Sequence, residues 1–184
     1  MFKRQFTNQL ALTAFAMHVL RLNKGAPHTL KLVLSNGNIM PWELAPVFDT
    51  TGNLCQPDRV PFRLTPNLVN FVTPVGITGL FSSAMLASAQ AIHDPELHVG
   101  HYIGGILRDE LISWHAVHHG PYLKSGIANA DLVTKVEGNV AIIEKQLGFV
   151  ANFEGNHGAV DSLIKAATAS QNLSLMSPTW QPWL

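Results

Sequence analysis

Apolar residues recur at helical spacing near the start of the chain. Leu10, Phe15, Val19 and Leu22, with Leu12 and Ala14 beside them, predict an amphipathic helix over residues 7–22. The run NKGAP ends it, because Gly25 and Pro27 are strong helix breakers. LKLVL and NIMPW then read as two short strands around Asn36-Gly37, a pair suited to the positive φ angles of a tight hairpin turn. Glu43 follows the second strand. From Thr65 onward the pattern turns helical, with Thr65-Pro66 as an N-cap and a proline at the first helical position. GLFSSAMLASAQAIH and HYIGGILRDELISWHAVH predict two further helices around the short loop DPELHVG.

The cleanest period comes later. Leu132, Val136, Val140, Ile143, Leu147 and Val150 step by three or four along a single apolar stripe. The loop HGPYLKSGIANA precedes that helix and ANFEGNHG ends it. AVDSLIKAATA and SQNLSLM predict two shorter helices before the terminal SPTWQPWL. Two tryptophans, two prolines and a terminal leucine leave that end little freedom or polarity. Burying one tryptophan removes about 150–250 Å² from water, so the end is expected to dock. The expected fold class is α+β, mostly helical, with one small β-hairpin.

Composition narrows the function classes. The 184 residues fit one domain, or one lobe with an appended tail. Hydrophobic residues make up 47% and charged residues 13%, against about 25% charged in an ordinary soluble domain. Part of this surface is therefore expected to lie against other protein. Lys+Arg and Asp+Glu are 12 each, and no dense basic run appears, which disfavours direct nucleic-acid binding. The single Cys55 can form neither an internal disulfide nor a multi-cysteine zinc site. Lys3 and Arg4 before LALTAFAMHVL have the look of a signal peptide, but His18 interrupts the run and RLNK follows without a small-x-small cleavage pattern. No stretch approaches the ~20 apolar residues of a membrane-spanning helix.

Candidate chemistry is sparse. Nine histidines invite a metal reading, and His98 with His101, or His115 with His118 and His119, lie at helical spacing near Asp109 and Glu110. Without an H-E-x-x-H pattern or cysteine partners, capping and solvated helix faces are the expected roles, and no metal or cofactor is expected. The chain has no G-x-x-x-x-G-K-[ST] loop, no G-x-G-x-x-G between a strand and a helix, and no G-x-S-x-G elbow. Arg108-Asp109-Glu110 reads as helix surface.

Two phrases carry a resemblance. VPFRLTPNLVNFVTPVGITGLF is similar to the segment just after the activation loop of phosphatidylinositol 3-kinase-related kinases, and AVDSLIKAATASQNLSLM with WQPWL is similar to their closing FATC tail. VPFRLTPN, LRDELISWH and the P-x-W-x-P-W-L ending resemble the TRRAP-type pseudokinase branch. The resemblance implies a pseudokinase C-lobe over residues 1–119, a linker and amphipathic helix over 120–156, and a FATC tail over 157–184. Such a chain would begin after the ATP-binding N-lobe, as a piece of a very large protein or a truncated product.

Laid against an active member, Lys24 falls at the catalytic Asp, Ala26 at the loop His and Thr29 at the metal-binding Asn, while Glu43-Leu44-Ala45 replaces Asp-Phe-Gly. A lysine is a poor acceptor for the substrate proton at neutral pH and repels magnesium. Threonine lacks the amide carbonyl that reaches the second ion, and alanine reaches glycine's backbone conformations only at a cost. Glu43 alone does not replace three lost roles, so it is expected to be a relic or a structural hydrogen-bonding group. Ser174 and Gln181 stand where some active relatives carry cysteines, which removes a redox-switched tail.

By resemblance the chain is a non-catalytic scaffold module of nuclear histone acetyltransferase coactivator complexes, SAGA or the MYST-type nucleosomal acetyltransferase. Its partners would be the other subunits and the rest of its own polypeptide, with transcription activators met indirectly and no membrane contact. Trp180, Pro182, Trp183 and Leu184 are the expected structural or interaction tail. Two alternatives stand beside it: an active serine/threonine kinase with an atypical loop, and a tail anchored at a membrane interface through its tryptophans.

Overall fold

The computed structural model describes residues 1–22, 27, 30–41, 44–56, 58–119, 129–151 and 158–183. Helix α1 spans Phe2–Val19, so it starts five residues before the expected position and ends three before it. The early turn forms because Phe6 and Thr7 are buried and Thr7 Oγ1 donates back to the Lys3 carbonyl at 2.8 Å. Strands β1 (Leu30–Val33) and β2 (Asn38–Pro41) pair antiparallel, with Val33 opposite Asn38. That register leaves four residues in the turn, and of Asn36 and Gly37 only Gly37, at φ +82°, takes a positive φ. The turn thus takes in Leu34 as well, one residue more than the strand boundaries LKLVL and NIMPW predict. Gly37 is required twice over, since a Cβ there would stand 2.8 Å from the Phe2 carbonyl of α1.

After Thr65, whose backbone is extended, α2 (Pro66–Val72) begins with proline in the first turn. The expected helix GLFSSAMLASAQAIH is two pieces, a π-helical turn Gly76–Phe81 running into α3 (Ser82–Ile92). The DPELHVG loop contains a 3₁₀ turn, Pro95–Leu97, capped by Asp94, whose Oδ1 accepts the Glu96 amide at 3.0 Å. Helices α4 (Val99–His119), α5 (Asn129–Ala151), α6 (Gly158–Thr168) and α7 (Ser170–Ser174) follow, and a last 3₁₀ turn covers Pro178–Trp180.

The core sits where α1, α3 and α5 meet. Leu10, Phe15, Phe62, Phe81, Met85, Ile143, Leu147 and Val150 are buried there in one cluster. Phe6 closes it against Phe71 edge-on, with ring centroids 5.1 Å apart. α4 lies on α5, α6 packs on α3 and α5, and the hairpin lies on α1. The α5 stripe behaves as its period requires: Leu132, Ile143, Leu147 and Val150 are buried, and Val136 and Val140 are half-buried under α4. Among the described residues no single helix is long and apolar enough to cross a membrane; the bent pair Pro66–Val72 and Gly76–Ile92 passes that test together, but it folds at 92° and contributes Val72, Phe81, Met85 and Ala89 to the core.

Candidate functional site

The chain leaves α1 at a polar joint. Arg21, in the left-handed region at φ +52°, donates through Nε to Gln146 Oε1 of α5 at 2.8 Å. Gln146 Nε2 lies 2.7 Å from His18 Nε2 and 3.2 Å from the His18 carbonyl. Because the amide nitrogen is a donor, His18 Nε2 accepts there. Burial pushes the Arg21 guanidinium below its ordinary value, with Cys55 opposing that weakly. The Arg21 carbonyl accepts the Val47 amide at 2.9 Å, and Leu22 bridges Pro46. These contacts bring the segment after Ala45 back beside the end of α1.

Residues 47–55 form a small closed loop. Phe48 bridges Leu54, Cys55 N donates to the Val47 carbonyl, and Asp49 Oδ1 accepts from Thr51 Oγ1 (2.7 Å), Thr51 N (2.8 Å) and Asn53 N (3.0 Å). These hydrogen bonds hold the Asp49 carboxyl below the usual carboxylate range, the Thr51 hydroxyl having the largest effect. The loop is tied to α5 by Asn139, which is fully buried. Its Nδ2 donates to the Gly52 carbonyl at 3.0 Å and its Oδ1 accepts the Leu54 amide at 2.8 Å. One side chain thereby supplies both hydrogen bonds that a paired strand would supply.

The next residues, Val60 to Thr65, are buried at every position. Arg63 reaches the C-terminal tail, with Nη1 donating to the Trp180 carbonyl and Nη2 to the Gln181 carbonyl at 3.2 Å. Its guanidinium lies over the Trp180 ring, 4.7 Å from the centroid. Burial lowers its pKa from the ordinary arginine value. Val60, Leu173, Met176 and Trp180 make a second apolar cluster. Gln181 is left-handed at φ +49°, a conformation that costs a non-glycine residue about 1–2 kcal/mol. The Arg63 hydrogen bond to its carbonyl helps hold it.

The expected site residues divide unevenly. Lys24, Ala26, Thr29, Glu43 and Leu184 lie outside the described residues. Leu44 is 51% exposed, and Ala45 is exposed beside it. In the tail Trp180 and Pro182 are buried, whereas Trp183, expected to dock with them, is 61% exposed. Once the chain turns at Gln181, one face of the tail meets Val60 and Arg63, and Trp183 falls beyond it. Among the described residues no three His, Cys, Asp or Glu side chains converge as a metal site. His98 meets His101 edge-on at 5.9 Å, and His118 stacks on Trp114 at 4.6 Å while its Nδ1 bonds the Trp114 carbonyl. Sequence reasoning missed Asn139, Gln146 and the Arg63 contact. Asn139 had a signal: it sits in phase with the apolar stripe, three residues after Val136 and four before Ile143.

The family model for phosphatidylinositol 3- and 4-kinases matches residues 1–116. The chain belongs to the phosphatidylinositol 3- and 4-kinase family. This family member is 35% identical over its whole length to the human "Transformation/transcription domain-associated protein", of which it spans 5%. It is 28% identical, again over its whole length, to the Schizosaccharomyces pombe "SAGA complex/NuA4 acetyltransferase complex subunit Tra1", spanning 5% of that protein too. Among solved structures, "FAT and kinase domain of CtTel1" superposes with a TM-score of 0.64 at 18% identity, covering 98% of this chain and 12% of that one. "Structure of the open conformation of CtTel1" gives 0.63 at 19% identity, covering 98% and 7%. The fold is that of a kinase domain of this family, mostly helical with a single two-stranded sheet among the described residues.

Proposed function

We propose that the chain is a non-catalytic scaffold module, the C-terminal pseudokinase portion of a subunit of nuclear acetyltransferase coactivator complexes of the SAGA and NuA4 kind. The observation that carries this is the similarity to the Schizosaccharomyces pombe and Saccharomyces cerevisiae proteins named as subunits of the SAGA and NuA4 acetyltransferase complexes, which extends over the whole chain and includes the tail. Lys24, Ala26, Thr29 and the Glu43-Leu44-Ala45 triplet stand in place of the catalytic Asp, the loop His, the metal-binding Asn and Asp-Phe-Gly. Phosphoryl transfer rests on positioned magnesium and a proton acceptor, and the one carboxylate in this set, Glu43, does not fill the roles lost at Lys24, Thr29 and Ala45. Asn139 and Arg63 serve packing, tying the 47–55 loop to α5 and the tail to the 60–65 segment.

In this reading residues 1–119 are the lobe, 120–156 the connection with its amphipathic helix, and 157–184 the tail. Its partners are the other subunits of the complex and the remainder of its own polypeptide. Purification of the tagged full-length protein at near-physiological salt, with mass spectrometry of what co-elutes, tests it. Acetyltransferase subunits in stable proportion are expected. A protein recovered alone, or one whose phosphotransfer activity disappears on Glu43→Ala, overturns the reading.

A further inference from the structure

A groove of about 750 Å³ runs between the 93–98 turn, the start of α4 and the outer side of α5. Ile92, Val99, Val140 and Leu147 form part of its apolar lining, and Asp94, Glu137 and Glu144 bring three carboxylates to it. Its volume is within the range of about 300–1,000 Å³ that holds ligands and anchoring side chains. Two glycines of α4, Gly100 and Gly104, line it where α4 meets α5. A Cβ at Gly104 would touch Val140 Cγ2 at 3.6 Å, and one at Gly100 would stand 2.5 Å from Glu144 Oε1. Glu144 therefore folds its carboxylate against the first turn of α4.

The charge of the lining selects the occupant. The described lining holds three carboxylates and three histidines, His93, His98 and His101, with no lysine or arginine, so it is net acidic with the imidazoles neutral, although the whole chain carries 12 of each sign. A long basic side chain fits both parts, its methylene stem along the valines and its cation at Glu137 and Glu144. Glu137 and Glu144 are themselves exposed. An apolar floor inside an exposed, charged rim is the anatomy of a non-obligate protein interface.

We infer that this groove docks a lysine- or arginine-bearing segment of a separate subunit. The inference rests on the scaffold reading. The test places the photo-crosslinking residue p-benzoylphenylalanine at His101, an exposed position on the groove, in the full-length protein within its purified complex. The expected product joins the benzophenone at position 101 to a peptide of another subunit with a Lys or Arg within a few residues. In the Glu137→Lys/Glu144→Lys variant that product falls about tenfold or more, because like charges then face each other. Glu137→Gln/Glu144→Gln gives a smaller loss and serves as the reading if the reversal variant fails to assemble. Crosslinks confined to the protein's own polypeptide, to a segment without a basic residue, or unchanged by either variant overturn the inference, as does no crosslink at all. In those cases the scaffold reading stands if the other subunits still co-elute, and falls with the groove if they do not.

Discussion

The Arg63 guanidinium lies over the Trp180 ring, 4.7 Å from its centroid, and donates to the carbonyl oxygens of Trp180 and Gln181. A residue from the middle of the chain thus holds the last turn from both its ring and its backbone. Trp180→Ala is expected to cost about 3–5 kcal/mol, since it empties the cluster formed with Val60, Leu173 and Met176. Trp183→Ala, at a ring 61% exposed, is expected to change stability by no more than about 0.5 kcal/mol. Denaturant unfolding of the two variants side by side measures the difference, and equal effects would contradict the tail arrangement.

Arg63→Lys keeps the charge and loses the planar fork and the stacking. Hydrogen bonds to a charged group are worth about 1.5–3 kcal/mol each, and a lysine can restore one of the two. The tail should become susceptible to chymotrypsin near Trp180 before the core unfolds. A cleavage pattern identical to the parent protein's would show that the guanidinium geometry is dispensable.

Asn139→Ala leaves the Gly52 carbonyl and the Leu54 amide without the partners they have on α5. The expected loss is about 1–3 kcal/mol, and it should be local. Amide hydrogen exchange would rise over residues 47–55 while α1 and α3 keep their protection. Uniform loss of protection would place Asn139 in the global core instead.

Asp49 gives the loop a pH dependence whose sign is set by its hydrogen bonds. Its carboxyl titrates lower in the folded protein than in the unfolded chain. Its stabilising contribution is therefore present above the unfolded value of about 3.9 and disappears as pH falls through the folded one. Exchange of the Thr51 and Asn53 amides should quicken in that acid range beyond the ordinary pH trend. Asp49→Asn should remove this excess, and an excess that survives the substitution would assign it to another group.

Gly37→Ala meets two obstacles, a φ of +82° and a Cβ 2.8 Å from the Phe2 carbonyl. The left-handed strain alone is about 1–2 kcal/mol, and the clash must also push the hairpin off α1. A drop in thermal midpoint larger than that of Ser35→Ala in the same turn is expected; equal drops would mean that the hairpin moves freely.

What the amino-acid sequence determined by itself was the order of most helices, the hairpin and the family. Period-3.6 spacing marked α5 through Leu132, Val136 and Ile143, and Thr65-Pro66 marked the start of α2, because local backbone chemistry dictates both. The VPFRLT phrase and the tryptophan-rich ending were legible as linear strings. Only the tertiary structure decided which of two similar tryptophans is buried, since Trp180 and Trp183 differ in what lies opposite them and not in their own composition. It also turned Asn139 from a blemish in an apolar stripe into the residue that holds the 47–55 loop. Burial and hydrogen-bond pairing depend on residues 85 to 128 positions away in the chain, and no local pattern records a partner at that distance.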